Sequence, residues 1–574
     1  MHRTTPSTTS PASDLDIQAR AALARATGAL SPAAGLLAAL DWATHLMVAP
    51  GKQALLAQQA LQQMQDLAAF LRESALTAGR APTADAAPDR RFAAPGWQQW
   101  PFSLWRESFL AAQRWWEAAT HGVPGVERHH QDLVAFGARQ WLDMLSPGNL
   151  PWTNPVVIDR TLREGGANLV RGFGHWVEDL RRQADGAPPA GTERFRVGHE
   201  VAATPGKVVL RNRLVELIQY APATPTVHAE PVLIVPAWIM KYYILDLSPE
   251  DSLVKYLVGQ GHTVFCISWK NPHEAERDLG MQDYLDLGLR AALDAVNAIC
   301  PRRKVHAAGY CLGGTLLAIG AAAMARDGDD RLATTTYFAA QTDFSEPGEL
   351  GLFIDESQLS LLEAQMQQTG YLTAQQMAGA FSMLRSYDLL WSRMVNEYLL
   401  GERAPMNDLM AWNADATRMP ARMHSEYLRR LFLDDDLSEG RFPVDGRPVS
   451  LGSLRLPTFM VGTLTDHVAP WRSVHKLHFL SPAEISFALT TGGHNAGIVN
   501  PPVPGSRRSY RLLTRPAGGH GLGPDDWLAQ APEHAGSWWP AWQQWLAAHS
   551  GARVKPPRMG EALADAPGDY VKER

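Results

Sequence analysis

The run Val305–Gly314 constrains this chain more than any other stretch. It reads Val-His-Ala-Ala-Gly-Tyr-Cys-Leu-Gly-Gly, and an apolar helical pattern follows over Thr315–Ala325. A strand, a tight turn and a helix in that order put Cys311 at the tip of the turn. Gly309 and Gly313 flank it at two residues on either side, where a side chain would collide in a turn with strained dihedrals. The helix N-terminus then points at Cys311. Its dipole and free N–H groups favour negative charge on the sulfur and offer the Leu312 N–H to an oxyanion.

The surrounding pattern fits a mostly parallel sheet covered by helices. Val208–Tyr220 reads as an early strand or hairpin, and Val232–Pro236, Val264–Trp269 and Thr334–Ala339 read as strands. Leu285, Leu289, Leu293 and Val296 keep helical spacing between two of them. Roughly 110 residues, with many Met, Leu and Trp, then separate Thr334–Ala339 from the next clear strand, Thr458–Gly462. An insertion of that size, at about 341–455, is expected to be a helical cap over the strand ends. The last strand expected is Ile485–Leu489.

Upstream the pattern is helical. From Leu15 to Glu73 it breaks near Ser31-Pro32 and Pro50-Gly51, and an Ala/Pro-rich stretch near 76–88 reads as a linker. Residues 90–182 look helical again and carry Trp97, Trp100, Trp105, Trp115, Trp116 and Trp141. The breaker Asp185-Gly186-Ala187-Pro188-Pro189 marks a boundary. The expected organisation is a disordered tail at 1–14, a mainly helical domain at 15–190 and a catalytic domain at 191–574.

Two loops after late strands supply an acid and a base. Thr458–Gly462 runs into Thr465-Asp466-His467, and Ile485–Leu489 runs into Gly492-Gly493-His494-Asn495. Cys311, Asp466 and His494 thus follow one another in the chain order of an α/β hydrolase. That fold, with its cap insertion and a helical domain in front, is the class expected. His494 would take the thiol proton and Asp466 could orient the imidazole. A second oxyanion donor is expected after Val232–Pro236, from a backbone N–H near Trp238 or Ile239, with Ile239 preferred. His467 either lines a substrate path or only packs.

Composition excludes several alternatives. Net charge is −6, which does not suggest a nucleic-acid binder. There are 3 cysteines, too few for a disulfide framework and without a C-x-x-C pair for a metal. Cys266, inside an apolar strand, and Cys300, before Pro301, read as structural. No metal and no cofactor is expected. The chain starts without an apolar signal core and has no run of about 18 apolar residues, so a cytoplasmic protein without a transmembrane segment is expected.

Several blocks together resemble the polyhydroxyalkanoate synthases, in particular the single-subunit class I type. They are Lys241–Leu247, Ile267–Pro272, Gly309–Gly314, Trp412–Thr417, Asp466–Trp471, Gly493–Gly497 and Gly536–Pro540. Met240 departs from the family pattern, which carries a polar residue before Lys-Tyr-Tyr. The resemblance implies a polymerase that takes (R)-3-hydroxyacyl-CoA, holds the growing polyester as a thioester on Cys311 and releases CoA. It also implies a homodimer at the surface of cytoplasmic polyester granules, with granule-associated proteins as possible partners. Trp412 is assigned with His467 to the substrate channel.

Two other readings use the same residues. A thioesterase or depolymerase would admit water to the same triad, and a granule-coating protein would need no triad at all. Within the polymerase reading, Asp466 is expected to serve the incoming hydroxyl more than to orient His494, because a thiol needs less help from an acid than a serine does.

Overall fold

Runs of β-branched and aromatic residues, buried on both faces, are what a central parallel strand requires. The computed structural model, which describes residues 11–76, 89–377, 379, 386 and 390–574, builds them into one eleven-stranded sheet. In chain order the strands are β1 Gly206–Arg211, β2 Val215–Tyr220, β3 Val232–Val235, β4 Val264–Trp269, β5 Val305–Tyr310, β6 Leu332–Phe338, β7 Thr458–Thr463, β8 Ile485–Thr490, β9 Ser509–Arg515, β10 Glu533–Ala535 and β11 Ala564–Asp565. Their order across the sheet is β10-β9-β8-β7-β6-β5-β3-β4-β2-β1-β11.

The pairs from β4 through β3, β5, β6 and β7 to β8 are parallel, and the remaining pairs are antiparallel. Strands β2 to β5, β7 and β8 are buried along their whole length. Both sheet faces carry a large apolar core, one of them roofed by the helix Leu312–Asp327.

The sheet does not stop at β8, as the alternation pattern suggests. Three more strands follow, and their polar residues explain why they escape a hydrophobicity reading. In β9 the side chains of Arg511 and Arg515 turn back to bond main-chain carbonyls of Ala531, Ser481 and Ala483. The strand is therefore only half-buried and reads as mixed.

The segment between β6 and β7 is mainly helical, with Glu356–Thr369, Asp408–Asn413 and Ala421–Tyr427 and two short ribbons. The described residues group into two compact units. One holds those up to Ala29, Gly191–Met377 and Met406–Arg574. The other holds Leu30–Ala190 and Ala378–Pro405.

Two segments group otherwise than the expected boundaries. The first helix, Pro11–Ala26, joins the sheet unit, where Arg20 bonds Ser360 at 3.1 Å and Arg25 bonds Gln368 at 2.5 Å. Residues 390–405 join the helical unit, where Asn168 donates to the Leu399 carbonyl at 2.8 Å and Arg403 to Asp179 at 2.9 Å. A Cβ on Gly172 would run into the Tyr398 carbonyl, so these backbones meet directly.

Within the helical unit, breaks at the Pro residues give helices Pro32–Met47 and Pro50–Leu76, with Phe102–Thr120, Arg128–Met144, Pro155–Arg163 and Ala167–Ala184 behind them. Residues 1–10, in the expected tail, and 77–88, in the expected linker, lie outside the described residues. Among the described residues no single helix is long and apolar enough to cross a membrane.

Candidate active site

Cys311 takes φ 51° and ψ −123°, a conformation that an L-residue adopts only under constraint. Close packing on three sides imposes it. A Cβ at Gly309 would meet the Gly314 backbone, one at Gly313 the carbonyls of Val235 and Pro236, and one at Gly314 the Ala340 side chain. The helix that begins at Leu312 can therefore sit directly on β3, β5 and the end of β6. The Cys311 N–H donates to the Phe338 carbonyl at 2.9 Å, which fixes the turn to β6.

The three cysteines differ sharply. Cys311 is partly exposed, whereas Cys266 and Cys300 are buried. Burial pushes the Cys300 thiol up to about 11, and raises that of Cys266 well above the thiol range. Neither can supply a thiolate near neutrality.

Asp466 and His494 sit on the loops after β7 and β8. The His494 Nδ1–H donates to Asp466 Oδ2 at 2.8 Å. Those loops are joined through the backbone, with Leu464 N–H on the Thr490 carbonyl at 2.9 Å and Thr465 N–H on that of Gly492 at 3.0 Å. Asp466 is held by more than His494. Its Oδ2 also accepts from Thr463 Oγ1 at 2.8 Å, and its Oδ1 from the N–H groups of Val468 and Ala469 at 2.9 Å each. Its side chain is wholly buried and that of His494 is 10% exposed. Burial opposes the Asp466 charge, but His494 and these donors keep its carboxyl below the usual range.

Burial likewise opposes an imidazolium at His494. The Asp466 carboxylate and the Cys311 sulfur outweigh it, by charge and by hydrogen bonding, and hold His494 well above the imidazole range. All three residues are thus brought together, with the imidazole between acid and sulfur.

The first residue of a helix has no intrahelical acceptor for its N–H, so the Leu312 N–H faces out beside Cys311. Ile239 lies on the segment after β3, half-buried, and its N–H meets no protein acceptor among the described residues. That segment is pinned along its length. Thr417 Oγ1 donates to the Trp238 carbonyl at 2.6 Å, Thr417 N–H to that of Ile239 at 3.4 Å, and Met240 pairs with Ala416. Lys241, also buried, donates from Nζ to the Glu573 carbonyl at 2.6 Å.

Trp412 is buried, and its indole N–H donates to the Lys241 carbonyl at 2.8 Å, so it braces this same segment. His467 is half-buried next to Asp466, and Gly348, at φ 71°, packs on its carbonyl. Sequence reasoning misses Thr463 and Thr417. The only trace of Thr463 is a threonine ending a strand three residues before the acid, and Thr417 is seen only as the end of the Trp412–Thr417 block, with no role assigned, because its partners are carbonyls far away in the chain. No group of three His, Cys, Asp or Glu side chains suited to a metal occurs among the described residues.

Comparison with known proteins identifies the family. Residues 88–257 match the model for the poly-beta-hydroxybutyrate polymerase (PhaC) N-terminus, residues 10–52 that for the poly-beta-hydroxybutyrate polymerase N terminal, and residues 230–501 that for the alpha/beta hydrolase fold. A poly(3-hydroxyalkanoate) polymerase of Methylorubrum extorquens is 42% identical, over 84% of this chain and 80% of its own. The chain belongs to the poly(3-hydroxyalkanoate) polymerase family. The polymerase subunit of Cupriavidus necator is 35% identical over 94% of this chain and 92% of its own, and that of Rhizobium meliloti 40% identical over 85% and 80%. Membership makes the chain an acyltransferase on an α/β-hydrolase fold.

Proposed function

We propose that this chain polymerises (R)-3-hydroxyacyl-CoA thioesters into a polyhydroxyalkanoate polyester, releasing CoA, through an acyl thioester on Cys311. The observation that carries the proposal is the strained elbow cysteine beside a hydrogen-bonded Asp466–His494 pair, in a member of this family. With Nδ1 spent on Asp466, His494 has Nε2 left for the thiol proton. The sulfur attacks the thioester carbonyl, and the Leu312 and Ile239 N–H groups receive the oxyanion. Collapse expels the CoA sulfur, which takes the proton back from the imidazolium. The 3-hydroxyl of the next unit or chain end then loses its proton to His494 and attacks the acyl-Cys311 carbonyl. An ester forms and the Cys311 sulfur is released.

A cysteine suits this cycle. Thioester gives thioester at similar energy, so the acyl group stays activated for an alcohol. We assign Asp466 to orienting His494 rather than to the incoming hydroxyl. Its two oxygens already accept four hydrogen bonds and its side chain has no exposed surface, which supports this role over the hydroxyl base that thiol chemistry suggests. Trp412 and Thr417 hold the Ile239 peptide in place, and His467 is left as a wall of the acyl path.

The helical unit has exposed Leu36, Leu40, Met47, Trp141, Trp152 and Phe173. A monomeric surface this apolar supports attachment to a polyester granule or to a second copy, in the cytoplasm. Incubation with (R)-3-hydroxybutyryl-CoA, following free thiol and turbidity together, tests the whole reading. Thiol with polymer is expected; thiol without polymer would make the chain a thioesterase.

A further inference from the structure

Tyr310, the residue before the elbow cysteine, carries a hydroxyl that the reaction does not consume. It ends β5 and is buried. Its O–H donates to Asn495 Oδ1 at 2.6 Å, and Asn495 is the residue after His494. The Tyr310 ring also lies against the imidazole, with centroids 5.5 Å apart and planes 34° from parallel.

Asn495 belongs to a firmly tied turn. Its carbonyl accepts from the N–H groups of Ile498 and Val499 at 3.1 and 2.9 Å, and Gly497 N–H donates to the Gly493 carbonyl at 2.8 Å. The indoles of Trp538 and Trp539 hold the far end, on the carbonyls of Gly497 at 3.0 Å and Ile498 at 2.9 Å. The turn is stiff, and the Tyr310–Asn495 bond is a side-chain tie between it and the nucleophile strand. Burial, reinforced by the charges of Cys311 and Asp466, keeps the Tyr310 hydroxyl protonated and therefore always a donor.

The need for such a tie is geometric. Cys311 rides on the sheet, whereas His494 rides on a loop, and proton transfer requires their separation to hold within about 0.5 Å. We propose that the Tyr310–Asn495 hydrogen bond is a positioning clamp that sets the His494 loop in register with Cys311. This rests on the reading of Cys311 as nucleophile. Neither Tyr310 nor Asn495 need touch the reacting atoms.

Tyr310→Phe deletes the donor and strands a polar oxygen, and Asn495→Ala deletes the acceptor and strands a buried hydroxyl. Tyr310→Phe/Asn495→Leu replaces the polar pair by an apolar contact of similar shape, which leaves nothing unsatisfied. The test measures single-turnover acylation by (R)-3-hydroxybutyryl-CoA, steady-state KM, and the pH dependence of iodoacetamide labelling at Cys311, all on the full chain. Each single variant is expected to slow acylation about tenfold with KM within about twofold, and to displace the labelling profile along pH, while the double variant, which lacks the same hydrogen bond, is slowed no more than either single variant. A structural loss alone would lower the labelled fraction without moving its pH dependence, and labelling at the buried Cys266 and Cys300 would report misfolded molecules.

Parent-like rates and pH profiles in both single variants would overturn the clamp, as would a double variant that returns to the parent rate or one slowed by the product of the two single effects. Cys311→Ala, assayed alongside, separates the two ideas. If it still releases CoA, the nucleophile reading fails; if it is inactive while Tyr310→Phe is unchanged, only the clamp fails.

Discussion

Asp466 reaches His494 through a single 2.8 Å hydrogen bond, from His494 Nδ1 to Asp466 Oδ2, while three other donors occupy the rest of the carboxylate. A carboxylate this saturated has no lone pair to offer a substrate hydroxyl. On the proposed reading it orients the imidazole and does not serve as base for the hydroxyl.

Asp466→Asn is therefore expected to slow loading of the first acyl group and elongation by the same factor. A serine triad loses roughly 10⁴ on this change, and a thiol nucleophile should soften the loss to about 10² to 10³. Single-turnover loading of labelled acyl-CoA, set beside steady-state CoA release, measures both. Normal loading with failed elongation would return Asp466 to the role of hydroxyl base.

Thr463→Val removes one donor from Asp466 Oδ2 and keeps the shape of the side chain. The carboxylate remains paired with His494, so the expected effect on acylation is about three- to tenfold, the size of an ordinary net hydrogen bond. No change in the acylation rate would mean that Thr463 plays no part in aiming the pair.

Gly313→Ala puts a methyl group against the Val235 and Pro236 carbonyls. The helix must lift from β3, which should cost about 2–4 kcal/mol and displace the elbow. Urea denaturation reads the stability and iodoacetamide labelling reads the elbow. Cys266→Ala and Cys300→Ala, by contrast, should each cost about 1–2 kcal/mol and leave acylation near the parent rate.

Acid should unfold this chain earlier than its carboxylates alone require. Burial depresses His262 and His478 to about 3, and His306, His424 and His475 to about 4. Each is neutral when folded and gains a proton on unfolding below about pH 6.5. The unfolded state then binds more protons, so stability falls as pH drops from about 6.5 towards 4, with at most about 1.4 kcal/mol per pH unit from each histidine. His494 has the opposite sign: its raised value favours the folded state below about pH 6.5, a contribution lost as pH rises through the folded value. Denaturant midpoints at pH 7.5, 6 and 5 check the balance, and His475→Phe should flatten the slope. A midpoint that does not move over that range would contradict it.

The candidate site is legible in the chain because its determinants are local. A glycine-framed cysteine after an apolar strand, and an acid and a histidine on loops after later strands, each need only a few consecutive residues to be seen. The helix breaks at Ser31-Pro32 and Pro50-Gly51 are local too, and helices end and begin there. What the chain hides is long-range. Strand β9 owes its place to arginines that bond carbonyls elsewhere, the Trp412 indole serves a carbonyl 171 residues away, and Asp466's saturation depends on backbone geometry. The grouping of Pro11–Ala26 with the sheet unit rests on side-chain pairs more than 300 residues apart.

The central claim is that Cys311 carries the acyl chain. Rapid quenching of the full chain with radiolabelled (R)-3-hydroxybutyryl-CoA, followed by proteolysis and mass spectrometry, tests it directly. The account predicts a thioester-labile acyl group on the peptide containing Cys311, formed in step with the first CoA released and absent from Cys311→Ala. CoA release without any acyl-Cys311 peptide, or undiminished in Cys311→Ala, would contradict it.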